Sequence, residues 1–351
     1  MNFLRNSYPA LALVGLLILG FVIIKLFGSA ETGRVATEAL IRLVFAVGLY
    51  VFSGNSGIVS FGHMSFVAIA AYATTWQTCC AMLKPITMPG LPPFLKDQTY
   101  SLLGSALTSV ALAGIVAFIV GLILMRLASL SASIATLALL FIVNTVYGNW
   151  TTVTMGNSTI VGLPVYVNLE VALAAAIVAI CLAYAYQVSA WGLKLRATRE
   201  DEVAAKASGV SLYWPRVIAF TLSGVMAGGA GVLFAHFTGT VSIGSFFLSH
   251  TFLIVAMIVV GGMRSLAGTV VGVTLISLVI DIFRRAEAGV SFGTLDLGIP
   301  PGSQEMILAL SMLVILVFRK EGIMCGKELV LPRALRGSQK ASADSGSATA
   351  Q

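Results

Sequence analysis

"LRATREDEVAAKASGV", residues 195–210, gathers Arg196, Arg199, Glu200, Asp201, Glu202 and Lys206 in a chain that is only 10% charged. Apolar runs lie on both sides of it. Thr198 is placed to cap a helix, with Glu200, Asp201 and Glu202 in the first turn, where acids complement the helix dipole. Glu202 and Lys206 stand at pairing distance four residues apart. Gly209 suits a left-handed helix end. The pattern predicts a helix of about ten residues, about 15 Å long, too short and too polar to cross a membrane. Ala204, Ala207 and Ser208, with Ala205 beside them, make one face small. Such a face admits close approach by another protein while the charged rim fixes register. A solvated loop would account for the charge alone; the caps and the small face favour a docking element.

The flanking sequence sets the solvent. Of 351 residues, 58% are hydrophobic and the mean hydropathy is +0.97, whereas a soluble domain carries about a quarter charged residues. Ten apolar windows are about long enough to cross a hydrocarbon core of about 30 Å. They centre on 10–26, 36–52, 62–83, 102–125, 129–148, 168–188, 215–236, 251–263, 266–283 and 304–318. Backbone in lipid must satisfy its own hydrogen bonds, so the runs are expected to be helices, the eighth of them short and tilted or broken. Alternating ten-residue segments, the mark of a membrane barrel, are lacking. The expected fold is therefore an all-α polytopic membrane protein of about ten transmembrane helices, with one short cytoplasmic helix at 195–210.

The net charge of +7 is accounted for by topology rather than by nucleic acid. With both termini cytoplasmic, fourteen Lys and Arg fall in inner segments and six in outer ones, as the positive-inside rule requires. The first run, followed by "FGSAETG", is read as an uncleaved span. Residues 1–325 are expected to form one transmembrane domain. The polar end, 326–351, has the composition of a disordered cytoplasmic tail. Cys79, Cys80, Cys181 and Cys325 lack metal-ligand spacing, so no metal site and no redox centre is expected.

Gly224 and Gly228, and again Gly268 and Gly272, sit four apart, a spacing that lets membrane helices approach closely. Ser53, Asn55, Ser56, Ser60 and His63 fall in a Gly- and Ser-rich break between the second and third runs. Broken helices at membrane depth line cavities, which makes these five candidates for a translocation pathway; a polar cap near the membrane surface accounts for them equally well. His236 and His250 flank an outer loop and are read as surface residues. Arg42, Asp281 and Glu305 are ionisable groups within spans, and Asp281 is spaced to pair with Arg284 or Arg285.

Three stretches resemble one family, the LivM-type inner-membrane permeases of branched-chain amino-acid ABC transporters. In "LKLRATREDEVAAKASGV" the residues matching that family's signature are Arg196, Arg199, Asp201, Glu202, Ala204, Ala205 and Gly209. They are followed by Ala219, Phe220, Ser223, Ala227, Gly228, Ala230 and Gly231. In "SGNSGIVSFGHMSFVAIAAYATT", 53–75, Ser60, Gly62, His63, Phe66, Ala71 and Tyr72 match, with Ala70 where glycine is usual. "VVGGMRSLAGTVVG", 259–272, departs at Arg264 and Thr269, where the family has Gly and Pro. The resemblance runs from about 36 to 325.

This resemblance implies an importer subunit without catalytic residues. Its cytoplasmic helix would be the coupling helix, seated on an ATPase through Arg196, Arg199, Asp201, Glu202, Ala204, Ala205 and Gly209. The implied partners are a second permease subunit, two cytoplasmic ATPase subunits and a periplasmic substrate-binding protein, in the lipid of the bacterial inner membrane. The implied spans form an approximate repeat of five. The chain holds no G-x-x-x-x-G-K-[ST] loop, so ATP would be bound by the partner. Cargo would be branched-chain amino acids, with urea, short amides and other amino acids carried by related systems. An ion-coupled carrier would instead need a network of membrane-centred carboxylates.

Overall fold

The structure, a computed structural model, describes residues 2–79, 82, 84–287 and 322–324. Its long helices are α1 (Asn2–Phe27), α2 (Ala30–Ser56) and α3 (His63–Thr78), followed by the single turns α4 (Lys84–Thr87) and α5 (Pro93–Lys96). Next come α6 (Leu102–Leu124), α7 (Ser129–Asn149), the turn α8 (Thr151–Thr154) and α9 (Leu169–Val188). The charged stretch forms α10 (Ala190–Glu200) and α11 (Glu202–Ala207), and α12 (Tyr213–Thr238), α13 (Leu248–Gly261) and α14 (Leu266–Glu287) complete the bundle. Two short strands, β1 (Ile160–Val161) and β2 (Thr240–Val241), pair antiparallel with Ile160 opposite Val241.

Among the described residues, eight helical segments are long and apolar enough to cross a membrane. Serine side chains start three of the helices: Ser29 accepts from the Thr32 amide, Ser101 from Gly104 and Ser189 from Gly192. Each satisfies an amide that a helix start leaves free. The expected third span is shorter than its apolar window: α3 has 16 residues, about 24 Å at 1.5 Å per residue. It stops at Thr78, where Cys79 is extended (φ −61°, ψ 154°), and Lys84 binds back to its last turn through the side-chain ammonium. That ammonium is fully buried and donates to the carbonyls of Gln77, Leu95 and Gln98 at 3.2, 2.9 and 2.7 Å. The short eighth span is lengthened by a 3₁₀ turn, Ile243–Phe246, to a segment of 19 residues. The tenth apolar run, Glu305 and the tail at 326–351 lie outside the described residues.

α12 is the centre of the bundle, packed on α2, α3 and α6, while α14 packs on α13 and α2. Its paired glycines explain why these helices come so close. A Cβ on Gly224 would stand 2.3 Å from Ala117 Cβ and one on Gly228 would stand 2.8 Å from Ala113 Cβ. At the second pair, a Cβ on Gly268 would meet the Gly261 carbonyl at 2.7 Å, and one on Gly272 the Met257 carbonyl at 1.9 Å. Close backbone approach supplies the van der Waals contact that lipid does not drive hydrophobically. By contrast, α1, α6 and α7 turn Leu16, Leu19, Leu103, Leu107, Ile134 and Ile142 outward. Apolar bands of this extent are foreign to a water-soluble surface and match a lipid one.

Candidate functional site

The charged stretch folds as two helices rather than one. Thr198 is no cap: it is buried within α10, and its hydroxyl donates to the Leu195 carbonyl at 2.7 Å. The break falls at Asp201, whose backbone is extended (φ −153°, ψ 110°). Its carboxylate accepts from the amides of Val203 and Ala204 at 2.8 and 3.0 Å. A short acceptor that can bond its own following amides interrupts one helix and starts the next. Gly209 ends α11 as expected, with φ at 78°. Its amide bonds to Lys206 and that of Val210 to Ala205, at 2.9 and 3.0 Å, the paired closure that a left-handed glycine permits.

The small face is divided. Ala205 is buried against the bundle, while Ala204, Ala207 and Ser208 are exposed. Beside them Val203 is 78% exposed, the one large apolar side chain on a helix otherwise made of Glu, Lys and Ala. No spacing in the sequence singles it out, since a lone valine carries no periodicity.

Two clamps join this insert to the central helices. Arg199 donates through Nη1 to the Gly54 carbonyl in the last turn of α2, at 2.6 Å. Its Nε and Nη2 donate to Glu200 at 3.1 and 2.7 Å, and this pairing holds the exposed Glu200 carboxyl below the usual carboxylate range. Glu202 bonds to Arg216 on α12, not to Lys206; it also accepts from Ser129 at the start of α7, at 3.4 Å. Arg216 is 5% exposed, so Glu202 reaches inward to a fixed charge and Lys206 is left at the surface. Arg196 donates to the Gln187 carbonyl at 2.7 Å, bracing α10 on the end of α9.

Beneath Arg199 lies the break between α2 and α3, and the five sequence candidates meet there. Gly57, in the left-handed region at φ 75°, ends α2, and a Cβ on it would stand 2.8 Å from Arg199 Cγ. Ser53 Oγ accepts from the Ser60 amide and Ser56 Oγ from that of Ile58. His63 Nδ1 lies 2.7 Å from Ser60 Oγ, and its ring sits among Phe52, Phe66 and Phe220 with centroids 4.9–5.7 Å away. Asn55 donates to the Val51 carbonyl at 3.0 Å. All five are buried. Two polar atoms there, Asn55 Oδ1 and His63 Nε2, have no hydrogen-bond partner among the described residues. The cleft that Ser53 lines with Leu49, Val59 and Met263 holds about 10 Å³, no more than one water. The break is packed shut.

At the opposite end of the bundle, His236 is fully buried rather than on the surface. It lies 3.0 Å from Thr74 Oγ1 and from the Pro164 carbonyl, contacts made by residues 162 and 72 positions away in sequence. His250 is half-buried and lines a cleft of about 40 Å³ with Glu38 and Arg42. Arg42 pairs with Glu38, which Arg284 also approaches at 3.5 Å. Asp281 pairs with Arg285 at 2.9 Å, as its spacing implied. Tyr147, near that end, stacks on Trp76, and the exposed Glu170 pairs with Lys25 at 2.7 Å.

The family model described as "Branched-chain amino acid transport system / permease component" matches residues 32–318. A protein of Escherichia coli (strain K12), the high-affinity branched-chain amino acid transport system permease protein LivM, is 27% identical over 312 residues. That alignment covers 78% of this chain and 68% of the relative. LivM of Salmonella typhimurium is 26% identical over 288 residues, covering 71% of this chain and 63% of the relative. The chain thus spans roughly two thirds of the curated relatives it matches. No solved structure matches it. With its many membrane-crossing helices, the chain belongs to the family of permease components of branched-chain amino acid transport systems.

Proposed function

We propose that this chain is the membrane-spanning, non-catalytic subunit of an ATP-driven importer that carries branched-chain or related amino acids across the bacterial inner membrane. In this reading α10 and α11 face the cytoplasm, as do both termini. The exposed Val203, Ala204, Ala207 and Ser208 meet an ATPase subunit that binds the ATP. A second permease subunit completes the pathway, two ATPase subunits drive it, and a periplasmic binding protein delivers cargo. Urea or a short amide is the alternative cargo class.

The observation that carries this reading is the double clamp. A helix seated in a partner can do mechanical work only if its movement reaches the pathway helices. Arg199 ties the insert to the end of α2, directly above the buried Ser60–His63 cluster, and Glu202 ties it to the start of α12. An ion-coupled carrier is less well supported. The membrane-embedded carboxylates among the described residues, Glu38 and Asp281, are both engaged by arginines, and a carboxylate that carries an ion needs to be released for it.

The test is co-purification of the chain with its candidate ATPase, wild type against Glu202→Arg combined with Gly209→Pro. Loss of the ATPase from a variant that still inserts and folds supports the coupling reading. Equal recovery, or no ATPase on either form, overturns it. Uptake of labelled leucine, urea and acetamide by the reconstituted complex then separates the cargo classes.

A further inference from the structure

α1 is held against the bundle at two places: Leu13 is buried in the core, and Lys25, near the end of the helix, pairs with Glu170 at 2.7 Å. Between them α1 stands clear of α2 and α14. The residues facing the gap include Gly20, Ala36 and Ala39, and a Cβ on Gly20 would meet nothing within 4 Å. The gap is a cleft of about 270 Å³ with mainly apolar walls, open past the exposed Leu16 and Leu278. Its shape decides what it can take. It runs from Leu16 to Ile24 on α1 and from Val273 to Asp281 on α14, eight steps or about 12 Å along each helix. Spread over that length, the volume leaves a cross-section of about 22 Å², whereas a helix with its side chains is about 10–12 Å across. A further helix does not fit there; an extended hydrocarbon chain does. Apolar cavities of about 150 Å³ already take up small apolar guests rather than water.

Ser277 gives the independent indication. It lines the cleft and is 5% exposed, yet its hydroxyl has no hydrogen-bond partner among the described residues. Helical serines and threonines commonly donate to the carbonyl one turn back, and Thr274 beside it does so, to Val270 at 2.8 Å. A hydroxyl left unpaired in an apolar wall is costly, and an acceptor on the occupant would satisfy it. Asp281, one turn further along α14, pairs with Arg285 at 2.9 Å and marks where the apolar wall gives way to charge. Ser277 therefore lies just inside the edge of the hydrocarbon, the depth at which a phospholipid's chains join their glycerol esters.

We propose that this cleft holds one acyl chain of an ester-linked phospholipid, its ester carbonyl accepting from Ser277 and its methylenes lying along Leu17, Phe21, Leu40 and Val273. The chain fills the gap between α1 and α2, so the seating of α1 depends on a bound lipid. The cleft lies toward the start of α2, away from Arg199 and the insert. With the insert on the cytoplasmic side, as proposed above, the lipid belongs to the outer leaflet; the binding itself is independent of cargo and of the ATPase.

The test is competition for the purified chain between phosphatidylethanolamine with ester-linked chains and its ether-linked counterpart, which has no carbonyls, read by native mass spectrometry. Wild type is expected to retain the ester form about fivefold better, the effect of one neutral hydrogen bond. That preference should vanish in Ser277→Ala and survive in Ser277→Thr. A phosphatidylethanolamine carrying a diazirine on one chain should label residues 16–24 and 273–281 in wild type, and about tenfold less in Gly20→Phe, whose ring fills the cleft. The Ser277 comparison leaves the shape of the cleft alone, so it decides the proposal whether or not the Gly20 variant folds. Equal retention of the two lipids by wild type, a preference that persists in Ser277→Ala, or labelling confined to the outward faces of α6 and α7 overturns the proposal. Displacement of the phospholipid by an equal amount of palmitic acid would assign the cleft to a free fatty acid and overturn the phospholipid reading.

Discussion

Arg199 and Gly54 lie 145 residues apart in sequence and 2.6 Å apart in space, the guanidinium of the insert closing on a carbonyl in the last turn of α2. That carbonyl belongs to a helix end, where acceptors run out of intrahelical donors, and the Arg199 side chain is only 15% exposed. A hydrogen bond from a charged donor in such a place contributes about 1.5–3 kcal/mol. Arg199→Ala is expected to lower the thermal unfolding midpoint, and Arg199→Lys to recover part of the loss. A midpoint that does not move in Arg199→Ala would show that the clamp carries no stability.

The second clamp makes a different prediction, because its partners are unequally exposed. Arg216 is buried and the Glu202 side chain is 44% exposed, so solvent screens the pair and its coupling should be about 1 kcal/mol rather than the larger value of a fully buried pair. A double-mutant cycle with Glu202→Gln and Arg216→Gln measures this directly. Zero coupling would mean that the carboxylate and the guanidinium hold the two helices no better than their neutral counterparts.

The break at Asp201 is testable by itself. Asp201→Ala removes the acceptor for the Val203 and Ala204 amides, at a cost of about 1 kcal/mol to α11, while Asp201→Asn keeps it. Hydrogen exchange at residues 203 and 204 should quicken in the alanine variant and stay near wild type in the asparagine one. If the two variants exchange alike, the cap is not what starts α11.

What could be read from the sequence, and what could not, divides by distance along the chain. Nine of the ten expected runs fall on long helices because apolar length is a local property, and Gly209 ended α11 because only a few neighbours decide that. Thr198 is misread as a cap although capping too is local: Thr198 and Asp201, three positions apart, offer similar oxygens, and only the folded backbone shows which oxygen meets free amides. Glu202 found its partner fourteen positions on, around the turn between α11 and α12, where helical spacing points only to Lys206. His236 looked like a loop residue because Thr74 and Pro164, which enclose it, are remote in sequence. The five residues of the α2–α3 break were legible as a group from their Gly and Ser content; that they are packed closed around an aromatic cluster was not.

The central helix supplies its own control for the packing argument. Gly229 and Gly231 lie two apart in α12, yet a Cβ on Gly229 would meet nothing within 4 Å, and one on Gly231 would stand 2.2 Å from the Val67 carbonyl on α3. Backbone cannot yield as a flexible side chain can, so Gly231→Ala must push α3 and α12 apart and loosen contacts over several turns. Gly229→Ala adds a methyl in open space and removes a glycine from a helix interior, a change that favours the helix by about 0.5–1 kcal/mol. Thermal unfolding in detergent or nanodiscs should therefore move in opposite directions, the midpoint rising slightly for Gly229→Ala and falling by several degrees for Gly231→Ala. Since α3 begins at His63, the Gly231 variant should also open the buried cluster, and faster hydrogen exchange at residues 60–67 would report it. Equal midpoints for the two variants would place the α3–α12 contact outside what holds this bundle together.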